Sequence, residues 1–201
     1  AYEQAATAEL VQKRLMLYAR LRDVEAERAL LDTAIADFPD ARERMGWRMR
    51  RATIHIPPRG PDNDQQEDAA RHLEALEALR GEISAAGETE DEAVVRIAIA
   101  RIQHGMGRTA ESQANLDWVF ANAPDGRAGR IAHLTIAQRA LEKRDPDTAR
   151  QRAEKVIETA PESEEAAQAH MLLGDMAYGD SDLDAMEKHF RAVVGIAPGT
   201  S

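Results

Sequence analysis

The sequence predicts an all-α chain, a right-handed α-α superhelix of about five antiparallel helix hairpins, and three observations carry that prediction. Aromatic residues are only 4% of 201 residues while alanine is plentiful, which suits closely packed helices better than a sheet core built from Val, Ile, Tyr and Phe. A proline stop recurs at Phe38-Pro39-Asp40, Ala123-Pro124-Asp125, Ala160-Pro161-Glu162 and Ala197-Pro198-Gly199, the last three prolines lying 37 residues apart. Proline lacks a backbone donor and disfavours α geometry in the residue before it, so each stop closes a unit. Small residues then recur in register: Ala52, Ala137 and Gly174 lie thirteen positions past a proline, and Ala26, Ala110, Ala149 and Ala185 precede the next one by 12 to 14. Helices cross closely where side chains are small, so each unit reads as helix A, a tight turn, helix B and a stop.

Taken in order, the hairpins are expected at about residues 2–37, 41–80, 89–122, 126–160 and 163–197, forming one solenoid over residues 1–201. The first opens with Leu10, Leu17, Leu21 and Val24 at helical spacing, a packing surface that also offers an association face. In the second, Ala41, Met45, Met49, Ala52 and Ile56 form the buried stripe. An insertion at about 55–64, containing Pro57, Pro58 and Pro61, stiffens its turn into a non-helical loop on one face. Gly105 to Gly107 turns the third hairpin. Asp145 caps helix B of the fourth with Pro146 in its first turn, and Asp180-Ser181-Asp182 supplies the caps of the fifth.

These residues resemble a known family. His170-x-x-Leu173-Gly174-x-x-Ala177, followed by Ala185 and Pro198, resembles a tetratricopeptide repeat, as does His133-x-x-Ile136-Ala137-x-x-Ala140 with Ala149 and Pro161. The chain departs from the family pattern where His133 and His170 replace its tryptophan, where Ala140 and Ala177 replace its tyrosine, and in a period of 37 instead of 34. The resemblance implies a concave groove lined by A helices that holds a peptide or helix of another protein. On that phasing the groove candidates are Met49, Thr53, Val95, Ile99, Leu134, Gln138, Met171, Asp175 and Tyr178. Because these are mostly apolar, the expected ligand is an apolar or amphipathic helix.

Composition and motifs narrow the function classes. A net charge of -10 argues against general nucleic-acid binding, which needs excess Lys and Arg. No run approaches the roughly 18 apolar residues of a membrane span, and the absence of cysteine leaves neither disulfides nor thiolate metal sites. Asp180-x-Asp182-x-Asp184 and Asp62-x-Asp64 both fail the calcium-loop pattern, because neither has glycine at the sixth position or glutamate at the twelfth. His133 and His170 occupy equivalent places without a converging third ligand. No nucleophile elbow, zinc-protease helix or phosphate loop occurs, so no enzyme, cofactor or metal is expected.

One concentrated patch, Arg44, Trp47, Arg48 and Arg51, is expected either to grip an acidic peptide or phosphate or to pair with neighbouring glutamates. The last helix ends apolar at Val193, Val194 and Ile196, so that end is expected to continue into further repeats or to dock on a second copy. The reading that follows is a non-catalytic protein-interaction scaffold, leaning to a bacterial assembly in the envelope or periplasm. A regulatory or sensor domain of a larger enzyme or transcription factor is the alternative.

Overall fold

A computed structural model describes residues 2–41, 43–54 and 65–196. The proposed insertion at 55–64 falls outside the described residues, as do Arg42 and Ile56. Among the described residues all regular structure is helical: α1 (Tyr2–Leu21), α2 (Val24–Asp37), α3 (Arg44–Thr53), α4 (Gln65–Ala85), α5 (Thr89–Gly105), α6 (Thr109–Asn122), α7 (Arg127–Glu142), α8 (Pro146–Thr159), α9 (Glu164–Gly179) and α10 (Leu183–Ile196). The all-α class is therefore what the sequence leads one to expect. Helix α4 runs on past position 80 because nothing there stops it. It ends only before Gly87, whose φ of 73° takes the left-handed turn that glycine adopts without a Cβ penalty.

Local chemistry explains the helix starts. Asp23, Asp145, Ser163 and Asp182 each accept a hydrogen bond from the backbone N–H three residues on, at 3.0 to 3.1 Å, satisfying donors that a helix leaves orphaned. Pro146 sits in the first turn of α8, where its missing N–H costs nothing. The turns between paired helices also share a register. Gly107, Arg144 and Ser181, each 37 residues from the next, all have positive φ of 59 to 77°.

The chain divides into two compact units, Ala1–Gln113 and Ala114–Ser201. In the first, α3 has two working faces. Trp47 and Ile54 pack with Val11 and Leu15 of α1 and Leu30, Leu31 and Ala34 of α2. Met45, with the half-buried Met49 and Ala52, packs with Leu73, Leu76, Leu79 and Ile83 of α4 and with Val95 and Ile99 of α5. In the second unit, Leu134 of α7 and Ala153 and Val156 of α8 enclose a core with Ala169 and Leu173 of α9. Gly129 of α7 lies directly against the Pro124 carbonyl, a close approach that only a residue without a Cβ allows.

Candidate functional site

The arginine-rich helix α3 shows how its charges are used. Arg48 donates to Asp91 at 3.1 Å and to Glu88 at still closer range. Arg44 reaches Asp91 at 3.5 Å, and Arg51 holds Asp32 through two hydrogen bonds of 2.6 and 3.3 Å. Arg50 pairs with the buried Glu27 at 2.7 Å. Glu88 stands at the N-cap position of α5, with no side-chain capping hydrogen bond, and Asp91 lies in the first turn, so the guanidinium groups of α3 meet carboxylates gathered at a helix N-terminus. The hydrogen bond from Arg48, reinforced by the charges of Arg48 and Arg44, holds the Glu88 carboxyl below its usual range against the smaller opposing effect of burial. Arg44, Arg48, Arg50 and Arg51 of α3 are thus each engaged by an acidic neighbour. Trp47 departs from the patch: it is 2% exposed and packs edge-on to Phe38 in the core. Its large apolar surface outweighs its one polar atom.

The groove candidates separate by burial. Val95 and Ile99 are fully buried between α3 and α4, and Leu134 is buried under α9, so these three are core residues and present no surface to a ligand. The physical reason is phase. An A helix packs against its own partner and also against the next hairpin, and both contacts draw on the apolar row assigned to the groove. Met49 and Thr53 are half-buried, and the Thr53 hydroxyl donates to the Met49 carbonyl at 3.0 Å. Gln138, Met171, Asp175 and Tyr178 face solvent.

The histidines are held in a repeating slot. Arg152 donates to Nδ1 of His133 at 3.3 Å, which places the His133 proton on Nε2 because a guanidinium only donates. The centres of that ring and of Phe120, over which Arg152 also sits, are 4.9 Å apart, with the planes tilted by 51°. Thirty-seven residues on, His170 faces His189 with their Nδ1 atoms 2.9 Å apart. Burial foremost, then the neighbouring cations, holds all three imidazoles below their ordinary range. No group of three metal-ligating side chains occurs among the described residues.

A site that the sequence reading did not single out lies in the first unit. A cleft of 770 Å³ has Arg48, Arg51 and Ala52 of α3 as its floor, Asp32 and Ile35 of α2 on one wall, and α4 from Arg71 to Glu82 on the other. Ala75, Ala78 and Leu79 make the α4 wall apolar between Glu74 and Glu82. The other charges are answered within the chain: Arg51 by Asp32, Arg48 by Glu88 and Asp91, and Arg71 by Glu67 at 2.5 Å. Glu74 and Glu82 have no ion pair among the described residues and leave the rim acidic. The signal was present in Arg71-x-x-Glu74-Ala75-x-x-Ala78-Leu79-x-x-Glu82, an i, i+3, i+4 face whose small residues mark an approach surface.

Helix pairs repeated at a fixed period, with small residues at their crossings and proline stops, define a helical-hairpin repeat protein. Residues 134–200, most of α7 through α10, match the tetratricopeptide-repeat family, and the fold is tetratricopeptide-like. The crystal structure of BtubC (BKLC) from P. vanneervenii is similar at a TM-score of 0.56 and 14% identity, with 96% of this chain and 80% of that one covered. A tetratricopeptide repeat protein from Parabacteroides merdae ATCC 43184 aligns at a TM-score of 0.48 and 14% identity, covering 96% of this chain and 67% of that one. No curated protein sequence matches the chain. At such identities the likeness concerns the fold alone.

Proposed function

We propose that the chain is a non-catalytic protein-interaction scaffold that holds a helical segment of another protein, and that the cleft between α2 and α4 is the seat. Tetratricopeptide repeats generally mediate protein–protein interaction. The observation that carries the proposal here is an apolar strip bordered by two acids that have no ion pair among the described residues. The α4 wall from Arg71 to Glu82 is about 16 Å long, three helical turns, at 1.5 Å per residue. A partner helix with small apolar residues on one face fits against Ala75 and Ala78, with the largely buried Leu79 beneath them. Lys or Arg placed two turns apart on that helix complements Glu74 and Glu82, giving both orientation and a salt-sensitive on-rate. The exposed Gln138, Asp175 and Tyr178 form a separate candidate contact surface in the second unit.

The test is selection of helical peptides from a randomised amphipathic library against the whole chain. Selected peptides are expected to be basic. Glu74→Lys with Glu82→Lys should weaken them about tenfold, as should Ala78→Arg, which projects a long side chain into the cleft from its α4 wall. Peptides that bind equally well to both variants would remove the cleft from consideration and return the search to the Gln138, Asp175 and Tyr178 face.

A further inference from the structure

The two last hairpins are the same object shifted by 37 residues: α9 begins 37 after α7, α10 begins 37 after α8, and each pair of helices has equal length. This identity gives an internal template for what each surface receives. In the earlier hairpin, Leu134, Ala153 and Val156, with Ile157 beside them, form the floor on which Ala169 and Leu173 of α9 rest. Their equivalents in the last hairpin are Met171, Phe190, Val193 and Val194. Instead of being covered, Met171 is 51%, Phe190 37% and Val194 77% exposed, and α10 contains no buried residue. The last hairpin therefore presents a receptor shaped for an incoming A helix.

The same chain carries an A helix with an unpartnered apolar row. On α1, Val11 and Leu15 are buried against α2 and α3, while Leu10, Leu17 and Leu21 are 56%, 52% and 66% exposed. These three lie at i, i+7 and i+11, one stripe of a helix. The charges around the two faces differ in balance: Lys13, Arg14 and Arg20 against Glu9 on α1, and Asp175, Asp184 and Glu187 against Lys188 and Arg191 around the receptor, so the donor face is the more basic and the receptor face the more acidic. We propose that a second copy of this chain docks its α1 onto the α9–α10 face of the first, so that α1 takes the place that α9 takes on α7 and α8. The contact is heterologous: donor and receptor are different surfaces, and each copy retains one of each. It uses neither wall of the α2–α4 cleft, so it stands or falls separately from the function proposed above.

Two variants test it. Leu17→Glu with Leu21→Glu disables the donor and keeps the receptor, while Met171→Glu with Val194→Glu does the reverse. All four positions are exposed, so helical circular dichroism should be unchanged. In sedimentation equilibrium the unmodified chain is expected to gain mass with concentration, and each variant alone to lose at least about tenfold in association constant. An equimolar mixture of the two should restore a one-to-one dimer and nothing larger. The chain has no cysteine, so Leu17→Cys and Val194→Cys chains give an independent readout: oxidation should link the two kinds to each other in preference to like with like. A chain that stays monomeric at all concentrations, a mixture that fails to pair, or Leu17→Cys chains that link to one another as readily would each overturn the proposal.

Discussion

Two glycines with the same helical setting are expected to answer mutation in opposite ways. A methyl group on Gly129 would run into the Pro124 carbonyl, which is backbone and cannot step aside. Gly129→Ala should therefore lower stability by about 1 to 3 kcal/mol, the usual cost of overpacking, seen as a fall in the urea midpoint. At Gly174 the added methyl would meet the far edge of the Phe190 ring at 2.7 Å. That ring is half out in solvent and can swing, and alanine favours the helix by up to about 1 kcal/mol, so Gly174→Ala should leave the midpoint nearly unchanged. The histidines give a second residue-scale prediction. Folding holds His133, His170 and His189 below the ordinary imidazole value, so below about pH 6.5 the unfolded chain binds more protons. Stability is then complete above that value and falls as pH drops toward the folded values. Two protonated rings at His170 and His189 would also set N–H against N–H across 2.9 Å. Thermal midpoints should decline from about pH 7 to about pH 5, and replacing all three with glutamine should flatten the profile.

Among elements, α3 is the one whose role rests on charge. Its Arg48 draws Glu88 and Asp91 of α5 into a partly buried cluster. Arg48→Glu would place three carboxylates together, and a loss of about 2 to 4 kcal/mol in chemical denaturation is expected. The helix starts behave more locally. Asp145→Ala removes one cap from α8 and should cost about 1 kcal/mol, well below the effect of Arg48→Glu.

At the scale of the whole chain, the punctuation was legible in the sequence. Proline stops, aspartate caps and the 37-residue period place α7 to α10, because each acts through backbone geometry within a few residues. What stayed hidden is which apolar row of an A helix faces a neighbour and which faces out. Val95, Ile99 and Leu134 lie on rows as apolar as any exposed one, and only the position of the adjacent hairpin separates the two. Trp47 was obscured in the same way, since its polar tip and arginine neighbours suggest a surface while its packing is that of a core residue. The α2–α4 cleft depends on pairings such as Arg51 with Asp32, 19 residues apart, which no local pattern declares.

The bare underside of α10 has one further consequence. A helix with no buried side chain has only its hairpin partner to hold its amides against solvent. Deuterium should enter α10 before α7, α8 or α9, and a protease should cut within α10 before it cuts those helices. Sealing that face should slow both processes, so deuterium uptake across residues 183 to 196 would serve as a gauge of whatever comes to rest there.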